Sequence, residues 1–214
     1  MSRKQAPDAG LTTTSYAVLG LLALRDWSTY ELAKQMARSM RLWWPRAESR
    51  VYEEPKRLLR LGLVTATDEG VGDRPRTVYS ITTAGRNALE AWLDEPAKLF
   101  RLEFEGMLKV FFADQGTLPQ LHARIDDIAE SARAELERGL AFDDEYLATG
   151  GPFPERLHLI ELVTDLHLRF LEATLSWTED ARARTEAWRS TVDGDDARPA
   201  IAARRRTTAE RLTD

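Results

Sequence analysis

Arg50, Glu53, Lys56, Arg57 and Arg60 recur at intervals that return to one side of a helix. That spacing gives the segment a face of cationic and hydrogen-bonding side chains. Such groups bond the edges of bases in a major groove and neutralise phosphates. Upstream, Tyr30 and Lys34 lie one helical turn apart, a hydroxyl and an ammonium able to hold phosphates and fix register. Downstream, Arg74 and Arg76 flank Pro75. The proline stiffens the turn, so two guanidiniums are offered to a minor groove or its phosphates with little loss of entropy. Taken singly, an exposed Lys or Arg is usually a solvated surface group. The order of the elements that carry these cations is what points to a nucleic-acid duplex.

Those elements can be read from periodicity and caps. Thr14 to Leu24 is dense in apolar residues and predicts a buried first helix, with a break at 25–27. Ser28 and Glu31 have capping-box spacing and open a second helix to about Met40, with Leu32, Gln35, Met36 and Met40 along it. A third helix is predicted from about Ser49 to Leu61, its inner face marked by Val51, Pro55, Leu58 and Leu59, with Gly62 as its stop. Leu63–Thr67 and Arg76–Ile81 read as strands joined by a turn at 68–75. In the second strand Val78 and Ser80 alternate with Thr77, Tyr79 and Ile81, the pattern of a half-exposed hairpin. Thr83 is the expected cap of a fourth helix, Ala84 to Leu93. Beyond Pro96 the pattern is helical, with segments at Phe100–Ala113, Pro119–Ala148 and Glu155–Arg189 and a turn at 150–154. The expected fold is mainly α: a winged helix-turn-helix with a two-stranded β wing, then an α-helical dimerisation domain. Its predicted divisions are a flexible arm at 1–11, the winged helix at 12–95, the helical domain at 96–192 and a polar, frayed tail at 193–214.

Composition narrows the function classes. The 214 residues are 43% hydrophobic and 30% charged, enough for a core and a well-solvated surface. Tyr16–Leu24, the longest apolar candidate, falls far short of the roughly 20 residues a membrane span needs. The first ten residues are polar and lack the apolar core of a secretory signal, so a cytoplasmic location is expected. No cysteine is present, which excludes disulfides, thiolate nucleophiles and Cys-based zinc sites. The sequence offers no nucleophile–base pair or phosphate loop, so neither an enzyme nor a cofactor is expected. The net charge of −5 is unevenly spread, residues 1–95 carrying +2 and residues 96–214 carrying −7. The first part can meet phosphates if its positive charge gathers on one face.

Several segments, in order and at matching spacing between Tyr16 and Leu93, resemble the PadR family of transcriptional regulators. They are LeuGlyLeuLeuAlaLeu (19–24), SerThrTyrGluLeuAla (28–33), TyrGluGluProLysArgLeu (52–58), GlyLeuVal (62–64), ArgProArgThrValTyrSerIleThr (74–82) and AlaGlyArg (84–86). The resemblance implies a homodimeric winged-helix repressor that binds an inverted repeat, dimerises through its helical part and responds to small aromatic or hydrophobic effectors. On the same basis Tyr30 is similar to the family's second-helix tyrosine and Tyr52 to its recognition-helix tyrosine. Lys56 corresponds to the cation of the third helix, and Arg74 and Arg76 to the wing. The candidate DNA contacts are therefore Tyr30, Lys34, Ser49, Arg50, Tyr52, Lys56, Arg57, Arg74 and Arg76. One residue departs from the pattern. Pro55 stands where the family has leucine, so the helix either kinks there or begins its regular part nearer Glu54. From Phe100 onward the chain resembles the longer PadR subgroup with a virulence-activator-like C-terminal domain.

Other constellations compete. Trp43, Trp44 and Trp92, with Trp27, could line an effector pocket, although large aromatics more often supply core area. His158, Glu161, Asp165 and His167 share one helix, where a charged surface outweighs a metal site. Leu121, Ile125, Ile128 and Leu136, with Leu159, Leu162, Leu166 and Phe170, form near-heptad stripes read as a dimer seam shared with the core. The reading that follows is a DNA-binding regulator with duplex DNA, a second copy of itself and a small effector as partners. The alternative is a winged helix used as a protein-interaction module without specific DNA binding.

Overall fold

The structure, a computed structural model, describes residues 10–40, 51–69, 76–100, 102–192 and 198–213. The chain divides into two compact units, Met1–Phe100 and Arg101–Asp214.

In the first unit, α1 (Thr13–Leu24) starts at a capping box between Thr12 and Ser15. It buries Val18, Leu19, Leu21 and Leu22, as an apolar helix surrounded by neighbours must. The expected box of Ser28 and Glu31 opens α2 (Thr29–Ser39), which buries Leu32, Gln35 and Met36. Pro55 lies in the first turn of α3 (Glu54–Arg60), where its missing N–H breaks no helical bond. The helix therefore begins at Glu54, shorter than the 49–61 expected, and the kink is not needed. Val51, Pro55 and Leu58 are buried, whereas Leu59 is 40% exposed. Successive residues point roughly 100° apart on a helix, so one narrow contact cannot bury both leucines.

The residues at 25–27 are more than a break. Trp27 and Ser28 form a short strand, β1, which pairs with β3 (Thr77–Ile81), and β3 pairs in turn with β2 (Val64–Asp68), all antiparallel. Trp27 is buried and its indole N–H donates to the Leu21 carbonyl at 2.8 Å, while the Arg25 guanidinium lies 3.8 Å from the ring centroid. Because β3 is central, adjacent Val78 and Tyr79 are both buried, and the alternation of a half-exposed hairpin does not hold. Thr82, one residue before the predicted cap, opens α4 (Thr83–Leu93) by accepting from the Gly85 N–H.

The second unit begins with α5 (Glu105–Phe111), shorter than the helix expected at 100–113. A Cβ on Gly106 would lie 2.8 Å from Ile128 Cγ1, so close packing rather than propensity shapes this segment. A 3-10 turn at Ala113–Gln115 leads to α6 (Leu118–Thr149), capped by Thr117 and Gln120 and closed by left-handed Gly150 at φ 74°. α7 (Leu157–Thr185) packs along α6. Leu121, Ile125 and Ala181 are the centre of their contact, ringed by Val110, Ala113, Leu118 and Trp177. The tail expected to fray instead carries α8 (Arg198–Thr213), whose alanines and arginines are strong helix formers.

Candidate nucleic-acid interface

Exposure on α2 and α3 follows from how each helix is anchored. The buried Leu32 and Met36 turn Tyr30 and Lys34 outward, and Tyr30 is 69% exposed. The buried Val51 in the turn before α3, with Pro55 and Leu58 on the helix, leaves Tyr52 exposed just ahead of α3 and Lys56 and Arg60 exposed one turn apart on it. Lys56 Nζ reaches Glu53 Oε1 at 3.1 Å, a solvent-exposed pair that a phosphate can readily replace. Ser49, Arg50 and Arg74 lie outside the described residues, as do Trp43 and Trp44.

Arg57 does not join this face. Its Nη1 donates to Glu54 Oε1 at 2.9 Å and to Ser15 Oγ at 3.1 Å, and its Nη2 donates to the Gly10 carbonyl at 2.8 Å. Ser15 Oγ donates to the same Glu54 oxygen at 2.5 Å. Glu54 is 7% exposed, and a carboxylate that buried needs a cation. The expected DNA contact is thus a clamp that ties α3 to α1 and to the chain before it. The Glu54–Arg57 spacing is visible in the sequence; Ser15, 39 residues from Glu54, is not.

Arg76 is also engaged. Its Nη2 donates to both Glu31 oxygens at 3.0 Å. Glu31 accepts from the Ser28 N–H at 2.9 Å and the Ser28 hydroxyl at 2.7 Å. The Ser28 bonds, then the charge of Arg76, hold the Glu31 carboxyl below its ordinary value of 4.5. A depressed folded-state value means the contribution is present above the unfolded value and lost as pH falls through the folded one. Melting of the protein against Glu31→Gln should therefore show a gap at pH 7 that shrinks as the pH falls below the ordinary value of 4.5 and is lost in stronger acid. A gap that persists in acid would overturn this.

The dimer and pocket candidates separate. Leu121, Ile125 and Ile128 are buried within the chain itself, Leu121 and Ile125 in the α6–α7 core and Ile128 against Gly106 of α5, so of the expected shared seam they form the core side. Leu136 is half-buried. Leu159, Leu162, Leu166 and Phe170 remain 41–64% exposed on α7. Trp92 stacks on Tyr16 with centroids 4.8 Å apart, which makes it a contact between α4 and α1. His167 faces Glu135 on α6, Nε2 to Oε1 3.8 Å, and among the described residues no three His, Asp or Glu side chains gather. No described helix is long and apolar enough to cross a membrane.

Residues 18–91 match the model of the transcriptional regulator PadR-like family, and residues 105–186 match that of the virulence activator alpha C-term family. The negative transcriptional regulator PadR of Bacillus subtilis (strain 168) is 24% identical over 174 residues, covering 78% of this chain and 94% of its own. The crystal structure of Bacillus subtilis PadR in complex with operator DNA superposes with a TM-score of 0.72 at 22% identity, over 82% of this chain and 100% of that one. The structure of the Vibrio cholerae virulence activator AphA superposes with a TM-score of 0.66 at 24% identity, over 82% and 99%. The Bacillus subtilis protein is also known in complex with p-coumaric acid, at a TM-score of 0.67 and 22% identity over 82% and 99%. The chain thus carries a domain of the transcriptional regulator PadR-like family over its winged helix and a virulence activator alpha C-terminal domain over α5–α7.

Proposed function

We propose that this chain is a sequence-specific DNA-binding regulator, acting as a homodimeric repressor on an inverted repeat near its target promoter. The observation that carries the reading is the exposure of Lys56 and Arg60 on α3 and of Tyr52 in the turn that leads into it, within one winged helix that also exposes Tyr30 and Lys34. α3 enters the major groove, and Arg74 reaches the flanking backbone or minor groove from the wing. Half-sites read by two copies lie about one helical turn, or a multiple of it, apart. Repression is supported by the name of the Bacillus subtilis relative, a negative regulator. A small aromatic or hydrophobic effector, supported by the p-coumaric acid complex of that relative, acts by shifting the dimer between geometries of its two recognition helices.

Dimerisation matters because residues 1–95 carry a net charge of only +2, too little for one copy to hold a duplex by charge alone. The exposed Leu159, Leu162, Val163, Leu166 and Phe170 on α7 form the stripe that a second copy would cover. Leu162→Ser should weaken self-association about tenfold in analytical ultracentrifugation, as expected for losing a buried leucine. Unchanged association would remove α7 from the interface.

The decisive experiment is a titration of the protein against its own upstream DNA and a scrambled duplex at several salt concentrations. The reading requires preference for the upstream DNA and an affinity that falls steeply with salt. Equal binding to both duplexes, or none, favours a protein-interaction module instead.

A further inference from the structure

We infer that Arg76 is a positioning residue: through Glu31 it locks the base of the wing to the N-terminus of α2, and it is not itself a phosphate contact. The inference rests on the DNA-binding reading above and refines it.

Three observations carry it. Arg76 stands immediately before β3, and its carbonyl accepts from the Glu69 N–H at 2.8 Å, closing the base of the wing loop. Its guanidinium crosses 45 residues of sequence to reach both oxygens of Glu31. Glu31 is itself held in place, because its Oε2 accepts two bonds from Ser28, which is paired with Val78 of β3. One carboxylate therefore ties together the cap of α2, the edge strand and the wing. α2 carries Tyr30 and Lys34, so the tie sets the wing relative to the helix that exposes them. Unlike the Lys56–Glu53 pair, whose carboxylate is 77% exposed, the Arg76 partner is 38% exposed and anchored by two Ser28 bonds, so a phosphate would have to displace a fixed carboxylate before counterions are released. Within the Arg-Pro-Arg turn, the phosphate contact then falls to Arg74.

Glu31→Gln separates the roles. Glutamine can keep the capping box, since its amide oxygen still accepts from the Ser28 N–H, but it has no charge to hold Arg76. The test compares Arg76→Ala, Glu31→Gln, the double variant and Arg74→Ala by operator titration across salt in the full chain. Arg76→Ala and Glu31→Gln should each weaken binding by about threefold, the scale of an exposed but well-aligned pair. The double variant should be no weaker than either single one, and the salt slopes of all three should match the unaltered protein. Arg74→Ala should flatten the slope by about 0.9, the value for one lost phosphate contact. Two results would overturn the inference: a flattened slope for Arg76→Ala, or tighter or unchanged binding for Glu31→Gln. If the unaltered chain shows no operator preference, the DNA-binding reading itself fails, which the first titration reveals independently of the variants.

Discussion

Gly85→Ala should destabilise the winged helix by about 2 to 3 kcal/mol, the upper part of the range for overpacking. For a domain of this size that lowers the melting temperature by roughly 10 to 20 °C. Propensity argues the other way, since alanine is favoured over glycine in a helix by about 1 kcal/mol. The local geometry decides. A Cβ on Gly85 would lie 2.2 Å from the Leu63 carbonyl oxygen and 2.8 Å from Ile81 Cγ1. The first neighbour is backbone and cannot rotate away. Leu63 is fixed from two directions: its N–H donates to the Leu58 carbonyl at 3.0 Å, and its own carbonyl accepts from the Thr82 N–H at 3.1 Å. Relieving the clash therefore moves the exit of α3 or the start of β2. Gly20, on α1, has open space where its Cβ would stand. Gly20→Ala should thus stabilise the same domain by roughly 0.5 to 1 kcal/mol. A calorimetric melt of both variants checks the pair, and equal shifts would show that the clash is not what matters at Gly85.

The same glycine shows what the sequence makes legible and what it hides. AlaGlyArg at 84–86 is one of the segments that resemble the family, but its spacing says nothing of why glycine is required. The reason lies in Leu63, 22 residues away in the chain. Local signals were readable: the Ser28–Glu31 box, Gly62 at the end of α3 and the turn that follows α6 at Gly150 all act over a few neighbouring residues. Pro55 is of the same kind, because its place in the first turn of a helix is a local matter. Non-local pairing was not readable. Nothing near Trp27 announces that it pairs with Tyr79, and without that pairing β3 looks like an edge strand. The stripe on α6 likewise carries no mark of which side is covered by the chain itself, so Leu121, Ile125 and Ile128 read as a dimer seam shared with the core. The interface follows the same rule. Tyr30, Lys34, Tyr52 and Lys56 point outward because their anchors were identifiable as apolar neighbours. Arg57 and Arg76 read as DNA contacts because Ser15 and Glu31, which help to hold them, are distant in sequence.

Arg57→Ala should lower stability by about 2 kcal/mol. Breaking a buried pair costs roughly 3 to 5 kcal/mol, because the charge left behind has lost its partner. The guanidinium here is 31% exposed, which lets water take up part of that loss and places the effect below the range. Glu54 would keep the Ser15 hydroxyl as a donor without a cation, and the link from α3 to the Gly10 carbonyl would go. Adding Glu54→Gln should recover part of the loss, since an amide accepts the serine bond without a stranded charge. Lys56→Ala is the contrast. Its partner Glu53 is exposed, so the melting temperature should hardly change. Its operator affinity should fall, with the salt slope reduced by about 0.9. Urea melts and salt-dependent titrations on the three variants separate two kinds of arginine and lysine on one seven-residue helix. If Arg57→Ala instead melts like the unaltered protein and flattens the salt slope, its guanidinium belongs to the DNA and the inward clamp is not what holds α3 in place.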